Sequence, residues 1–111
     1  MAEQVIPILR VANTADAVAW RVRLGFTEEW EHRIEPGWPA FVSIARGRAR
    51  LFPSEHRGDA RPDTVVQLFV SDIAPVVAEL GRPADEPPYR CEIELRDPDD
   101  NRLRISTARG G

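Results

Sequence analysis

A unit made of a strand, a capped helix and a Leu-Gly pair occurs twice in this chain of 111 residues. The first copy begins with the mostly apolar segment Val5–Val11 and closes at Leu24, which a glycine follows. The second begins with Thr64–Val70 and closes at Leu80, again followed by glycine. The same elements in the same order indicate a tandem duplication. The chain is therefore expected to fold as two similar modules.

Each predicted helix has a capping residue and an apolar stripe. The first, predicted over Thr14–Leu24, can be capped by Asn13 or Thr14, and its apolar residues recur at helical spacing. The second, predicted over Ile73–Leu80, follows Asp72 as its N-cap. The glycine after each helix suits the left-handed position that ends many helices.

Runs of apolar and β-branched residues between turn residues predict the other strands. Three candidates follow the first helix and two follow the second, so the second module is expected to be shortened. Residues 97–101 read Asp-Pro-Asp-Asp-Asn, a turn in which proline presets φ while Asp and Asn tolerate the left-handed region. The candidates are Thr27–Arg33, Phe41–Arg46, Ala49–Phe52, Glu92–Arg96 and Arg102–Thr107.

The order of these elements predicts an α+β fold. It consists of two tandem βαβββ-type modules. The length suits one domain, with module one at residues 1–53, a polar linker at 54–63 and module two at 64–111.

Composition excludes several classes of protein. With 42% hydrophobic and 30% charged residues the chain is ordinary globular, and no apolar run approaches a membrane span. The net charge is −3 and no basic stripe is present, so neither a membrane nor a nucleic acid is expected as partner. We expect a cytoplasmic protein. Cys91 is the one cysteine and is expected to be a structural thiol.

The duplicated pattern, the segment Leu24-Gly25-Phe26 and the turn Asp97-Pro98-Asp99 resemble the vicinal oxygen chelate superfamily. This superfamily includes glyoxalase I, extradiol dioxygenases, fosfomycin-resistance enzymes and bleomycin-resistance proteins. The last group resembles the chain most. The resemblance implies the glyoxalase/bleomycin-resistance fold, in which curved, mostly antiparallel sheets carry the helices on the outside. Its further matching segments are Ile6-Pro7-Ile8-Leu9, Leu51-Phe52 with Ser54, Pro62-Asp63-Thr64 and Leu95-Arg96.

Enzymes of this superfamily hold one metal ion with His, Glu or Gln side chains, and the resemblance indicates where those ligands would fall. The positions correspond to Ile6, Val65, the segment Arg50–Phe52 and Arg104. Apolar side chains and guanidinium groups cannot coordinate a cation. We therefore expect no metal, no other cofactor and no catalytic residue.

The resemblance to bleomycin-resistance proteins implies a homodimer with ligand grooves where the subunits meet. Pairing would also cover the apolar surface and the sheet edges of a small cup. Aromatic side chains would stack on a planar antibiotic of the bleomycin type or another aromatic-bearing one, and acidic groups would attract a cationic end. The candidate ligand-binding residues are Trp30, Trp38, Phe41, Phe52, Tyr89, Glu29 and Glu35.

Other functions stay open at this point. An enzyme of the same superfamily, such as a lyase, an isomerase or a dioxygenase-like protein, would need a buried carboxylate or histidine with a shifted pKa. Glu92 and Glu94 are the interior candidates. A purely structural module would have a filled cavity. Arginines in the groove, such as Arg50, Arg90 and Arg104, would favour an anionic ligand over a cationic one.

Overall fold

The computed structural model describes residues 3–80 and 92–107, without the side chains of Leu80 and Glu92. The strands of the first module are β1 (Ile8–Arg10), β2 (Thr27–Arg33), β3 (Ala40–Arg46) and β4 (Ala49–Ser54), with helix α1 (Thr14–Val22) after β1. The second module has β5 (Val65–Val70), helix α2 (Ala74–Leu80), β6 (Glu92–Arg96) and β7 (Arg102–Thr107).

The two sheets share one topology. The first has the strand order β1-β4-β3-β2, with β1 parallel to β4 and the other pairs antiparallel. The second has the order β5-β7-β6, with β5 parallel to β7 and β6 antiparallel to β7. A counterpart of β2 would fall within residues 81–91, which lie outside the described residues. The predicted α+β fold with a shortened second module is confirmed.

Helix α1 begins where the sequence predicts and ends two residues earlier. The Asn13 side chain accepts a hydrogen bond from the Asp16 amide at 2.9 Å, so Asn13 is the N-cap. At the other end, the amide of Leu24 donates to the carbonyl of Arg21, and that of Gly25 donates to the carbonyl of Val22. These i→i+3 bonds tighten the last turn, and Gly25 takes a φ of +92° to leave the helix.

One hydrophobic core joins both modules. In β3 the alternate residues Ala40, Val42 and Ile44 are buried, and α1 packs against the same side of the sheet. The second sheet contributes apolar residues of β6 and β7, including Ile93 and Ile105, to the same core. Since each sheet turns one face into this shared core, its other face points away from it. We call these outward surfaces the open faces of the first and second sheets.

A buried polar junction ties α1 to the β6–β7 turn. Arg21 Nη2 donates to Asp97 Oδ2 at 2.7 Å, and the two side chains are 2% and 0% exposed. Asp97 Oδ1 also accepts from the amides of Asp99 and Asn101. The Asn101 side chain donates to the carbonyl of Arg10 and accepts from the amide of Thr64. The turn therefore holds elements of both modules together through charged and polar groups.

Glu55, near the start of the predicted linker, is a second polar group that joins separate elements, and it is partly buried. Its carboxylate accepts from the Thr14 amide at 2.8 Å and from the Ala40 amide at 2.9 Å, and the side chain is 15% exposed. Burial by itself raises the pKa of Glu55, but the bonds from Thr14 and Ala40 and the nearby Arg33 outweigh it. The pKa therefore lies below its usual value of 4.5.

Replacing Glu55 by glutamine is expected to reduce the free energy of unfolding by about 1–3 kcal/mol at neutral pH, because amides are left without their charged acceptor. A lowered pKa in the folded state gives stability that is present above the unfolded-state pKa and is lost as pH falls through the folded-state pKa. The free energies of unfolding of the variant and the wild type should therefore approach each other as pH falls below 4.5.

Urea denaturation across this pH range measures the effect. Glu31→Gln is the control, because Glu31 is an exposed partner of Arg33 and its loss is expected to change stability by less than about 0.5 kcal/mol. If the free energy of unfolding of Glu55→Gln differs from that of the wild type by the same amount at every pH, the expectation is contradicted.

Over the described residues, neither helix is long and apolar enough to cross a membrane.

Candidate ligand-binding surface

Three aromatic rings meet on the open face of the first sheet, one from each of β2, β3 and β4. The ring centroids of Trp30 and Phe41 are 5.8 Å apart with planes inclined by 24°, a stacked arrangement. Phe52 lies 5.4 Å from Trp30 and 5.0 Å from Phe41. We call these three residues the aromatic cluster. Strand alternation explains it, because Phe41 points away from its buried neighbours Ala40 and Val42.

An irregularity in β2 brings a carboxylate beside the aromatic cluster. The register with β3 shifts between Glu28 and Trp30, as in a β-bulge. Glu29 accepts from Ser43 Oγ at 2.7 Å and from Arg50 Nε and Nη2 at 2.6 and 2.9 Å. We call Glu29, Ser43 and Arg50 the polar row. Arg50 also donates to the Gln4 side chain at 2.9 Å, which ties the N-terminal segment to this row.

The polar row carries little net charge. The hydrogen bonds from Arg50 and then from Ser43 lower the pKa of Glu29 to about 2, so Glu29 is ionised at neutral pH. The bidentate guanidinium of Arg50 neutralises it. Glu29 thus offers hydrogen-bond acceptors beside the aromatic cluster and only a weak attraction for a cation.

The open face of the second sheet carries arginine–carboxylate pairs and an exposed phenylalanine. Arg104 Nε donates to the Glu94 carboxylate at 3.0 Å, and Arg102 Nη1 lies 3.8 Å from the same carboxylate. On the neighbouring strand β5, Phe69 is 64% exposed. Sequence reasoning missed Phe69, although Gln67, two positions earlier on the same face, was a signal that this face of β5 is not the buried one.

The predicted ligand-binding residues fall into three groups. Glu29 lies beside the aromatic cluster, which contains Trp30, Phe41 and Phe52. Glu35 and Trp38 lie in the β2–β3 connection, where the Trp38 amide donates to the Glu35 carbonyl at 3.0 Å. Within the described ranges, Trp38 makes no ring contact with the aromatic cluster. Tyr89 lies outside the described residues.

The positions at which the superfamily holds its metal do not suit a metal ion in this chain. Val65 is an exposed apolar residue of β5, and Ile6 is a partly buried one before β1. Arg50 and Arg104 are paired with Glu29 and Glu94. In residues 3–80 and 92–107, no three His, Cys, Asp or Glu side chains come together. Side chains without a lone pair cannot form a coordination shell.

Glu94, one of the two carboxylates that an enzyme could use as an acid or base, is kept ionised by neighbouring arginines. The hydrogen bond from Arg104 lowers the pKa of Glu94, and the nearby Arg102 and Arg96 act in the same direction. Proton transfer near neutral pH needs the opposite shift, since a catalytic carboxyl group works best with its pKa near the ambient pH. The other candidate was Glu92, whose side chain lies outside the described structure.

Two crevices lie next to the polar row rather than over the aromatic cluster. One of about 650 Å³ separates residues 3–6 from Gly47, Arg48 and Arg50. Another of about 210 Å³ lies between the modules, where Leu51 and Leu103 meet Pro7. The aromatic cluster lines neither of them. A planar molecule stacked on the cluster of a single chain would therefore keep its other side in solvent.

The profile of a family described as glyoxalase superfamily protein matches residues 1–110. The chain belongs to the glyoxalase superfamily. The resemblance inferred from the duplicated pattern and the Asp-Pro-Asp turn is thereby confirmed. A comparison with curated protein sequences finds no match.

Several solved structures share the fold along almost the whole chain. The bleomycin-binding protein from bleomycin-producing Streptomyces verticillus, complexed with copper(II)-bleomycin, is 23% identical with a TM-score of 0.67, covering 97% of this chain and 99% of its own. TnmS3, an antibiotic-binding protein from Streptomyces sp. CB03234, is 14% identical with a TM-score of 0.73, covering 96% of both chains. TioX from Micromonospora sp. ML1 is 15% identical with a TM-score of 0.79, covering 96% and 98%.

Proposed function

We propose that this glyoxalase-superfamily chain binds and sequesters a flat, aromatic-bearing small molecule, an antibiotic of the bleomycin type or another, without a metal ion. The observation that carries the proposal is the aromatic cluster on the open face of the first sheet. Trp30 is 45% exposed although the chain has a separate, well-filled core. Stacked and edge-on rings offer a rigid apolar surface and π faces for a planar ligand.

Similar proteins support this proposal. Solved structures that share the fold include a bleomycin-binding protein with bleomycin and an antibiotic-binding protein. The polar row adds hydrogen-bonding groups at the edge of the aromatic cluster, as small-molecule sites commonly require. The apolar and arginine residues at the superfamily's metal positions support binding without catalysis by a metal.

We expect the protein to be a homodimer, because each open face exposes side chains that a second copy would cover. Sedimentation velocity at micromolar concentration should give a species of twice the 12.5 kDa chain mass. Phe69→Asp, on the open face of the second sheet, should favour the monomer. Val22→Asp, at an exposed site on α1, should leave the dimer intact. A wild-type protein that persists as a 12.5 kDa monomer would contradict this model.

Tryptophan fluorescence tests the proposed function directly. Bleomycin and a set of other planar antibiotics are titrated into protein that has been treated with EDTA. A ligand stacked on Trp30 should quench the fluorescence, and Trp38→Phe should retain most of this quenching whereas Trp30→Phe should lose it. If no planar compound changes the fluorescence at high micromolar concentration, the proposed function is wrong. If untreated protein binds the ligand and EDTA-treated protein does not, the proposal that binding needs no metal ion is wrong.

A further inference from the structure

We infer that the ligand carries an uncharged hydrogen-bond donor, such as a hydroxyl or an amide N–H, next to its flat part, and that Glu29 accepts from this donor. This inference rests on the proposed function, to which it adds the kind of polar group on the ligand. It also selects among the alternatives that the sequence left open, because it favours a neutral group over both a cation and an anion.

The irregularity in β2 places two successive side chains on the same face of the sheet. In a regular strand Glu29 and Trp30 would point to opposite faces, because side chains alternate. Here the register shifts between Glu28 and Trp30. Trp30 belongs to the aromatic cluster, and Glu29 bonds to Ser43 and Arg50 of the polar row. Bulges commonly redirect a side chain next to a functional site.

A ligand stacked on the aromatic cluster comes within reach of Glu29. Ser43 lies directly opposite Trp30 in the register of β2 and β3, and the Cβ atoms of such pairs are about 5 Å apart. The Ser43 hydroxyl donates to Glu29 at 2.7 Å. Because Ser43 itself has no exposed surface, the ligand meets the side chains of Glu29 and Arg50 at this edge of the cluster, each of them 31% exposed.

Glu29 has an acceptor position left for a ligand. Its Oε1 accepts from Ser43 Oγ and Arg50 Nε, whereas among the described residues its Oε2 accepts from Arg50 Nη2 alone. Each oxygen of an ionised carboxylate has two lone pairs. Since the pKa of Glu29 is lowered to about 2, this group accepts hydrogen bonds and donates none at neutral pH. The polar row therefore complements an N–H or O–H group on the ligand.

The pairing of Glu29 with Arg50 favours a donor without charge. The guanidinium of Arg50 contacts the carboxylate at 2.6 and 2.9 Å. A cation bound to Glu29 would lie within a few ångströms of Arg50 and be repelled by it, and an anion would be repelled by Glu29 in the same way. A neutral donor gains the hydrogen bond without either repulsion, and it loses less hydration free energy than an ion does on leaving water.

The test compares three probes that share a naphthalene body and differ in one substituent at the same ring position. Naphthylmethanol offers an uncharged donor, methylnaphthalene offers none, and naphthylmethylammonium offers a charged one. Each probe is titrated into the isotope-labelled full chain, and its affinity is measured from the NMR signal of the Trp30 indole N–H, which Trp30→Phe identifies. The alcohol should bind about five- to tenfold more tightly than methylnaphthalene, because it adds a hydrogen bond to an ionised group. The ammonium ion should bind no more tightly than the alcohol.

Glu29→Met should remove the difference in affinity between the alcohol and methylnaphthalene, because methionine keeps the length of the side chain but has no strong acceptor. Glu31→Met is the matched control. Glu31 is also a carboxylate of β2 that pairs with an arginine, but it lies opposite the buried Val42 and not beside the aromatic cluster. This variant should keep the difference in affinity.

The outcomes separate this inference from the proposed function. The inference is wrong if the alcohol binds no more tightly than methylnaphthalene, or if the ammonium ion binds more tightly than the alcohol. It is also wrong if the difference survives Glu29→Met in a variant with unchanged circular dichroism, or if Glu31→Met lowers it equally. An alcohol that shifts no signal at millimolar concentration, while planar antibiotics quench Trp30, overturns the inference and leaves the proposed function standing. If the antibiotics also fail to quench Trp30, both proposals are wrong.

Discussion

Replacing Asp97 by asparagine is expected to reduce the free energy of unfolding by about 3–5 kcal/mol, because it leaves the charge of Arg21 buried without its partner. The two side chains are 2% and 0% exposed, and their 2.7 Å contact joins α1 to the β6–β7 turn. Among the described residues, the guanidinium of Arg21 would keep a 3.4 Å contact with the Ala17 carbonyl and a position 5.2 Å from the ring centroid of Trp20, and neither carries a negative charge. A loss of this size is a large part of the stability of a small domain.

Urea denaturation of three variants separates the charge effect from packing. Arg21→Met combined with Asp97→Asn should recover part of the loss, because no uncompensated charge then remains in the core. Arg23→Met is a matched control on the same helix, where the exposed pair with Glu79 should contribute at most about 1 kcal/mol. If Asp97→Asn reduces the free energy of unfolding no more than Arg23→Met does, the buried pair of Arg21 and Asp97 does not stabilise the fold to the expected extent.

Replacing Phe41 by alanine is expected to weaken binding of a planar ligand by about 1–3 kcal/mol, or roughly five- to 150-fold in affinity. Phe41 contacts both other rings of the aromatic cluster, at 5.8 and 5.0 Å, so its loss removes a stacking surface and also loosens Trp30 and Phe52. The affinity is measured by calorimetry with the planar antibiotic that gives the strongest quenching of wild-type fluorescence.

Phe41→Leu controls for the lost volume, because leucine keeps an apolar side chain at this half-buried position but has no π face. If stacking is responsible, most of the loss should persist in Phe41→Leu. If Phe41→Ala binds as tightly as the wild type while its fold is intact, the ligand does not use the aromatic cluster.

Features that depend on neighbouring residues could be predicted from the sequence. The cap of α1, predicted at Asn13 or Thr14 and found at Asn13, the left-handed Gly25 and the turn after Asp97 are local arrangements of side chain and backbone. The same is true of the strands, whose alternation already separates Phe41 from the buried residues on either side. Local rules repeated in two halves of the chain were sufficient for the α+β fold, whereas the superfamily was inferred from the resemblance of the segments around Gly25 and Pro98.

Pairings between distant residues were decided only by the tertiary structure. Arg21 follows Ala17 by four residues and so falls on the apolar stripe of α1, yet its partner Asp97 is far away in the sequence and belongs to the other module. Glu29 was predicted as a negative group that attracts a cation, but the shift in register at β2 directs it to Arg50. Its charge could not be judged from its own segment, because the effective charge of a surface depends on which groups the folded sheets bring within a few ångströms.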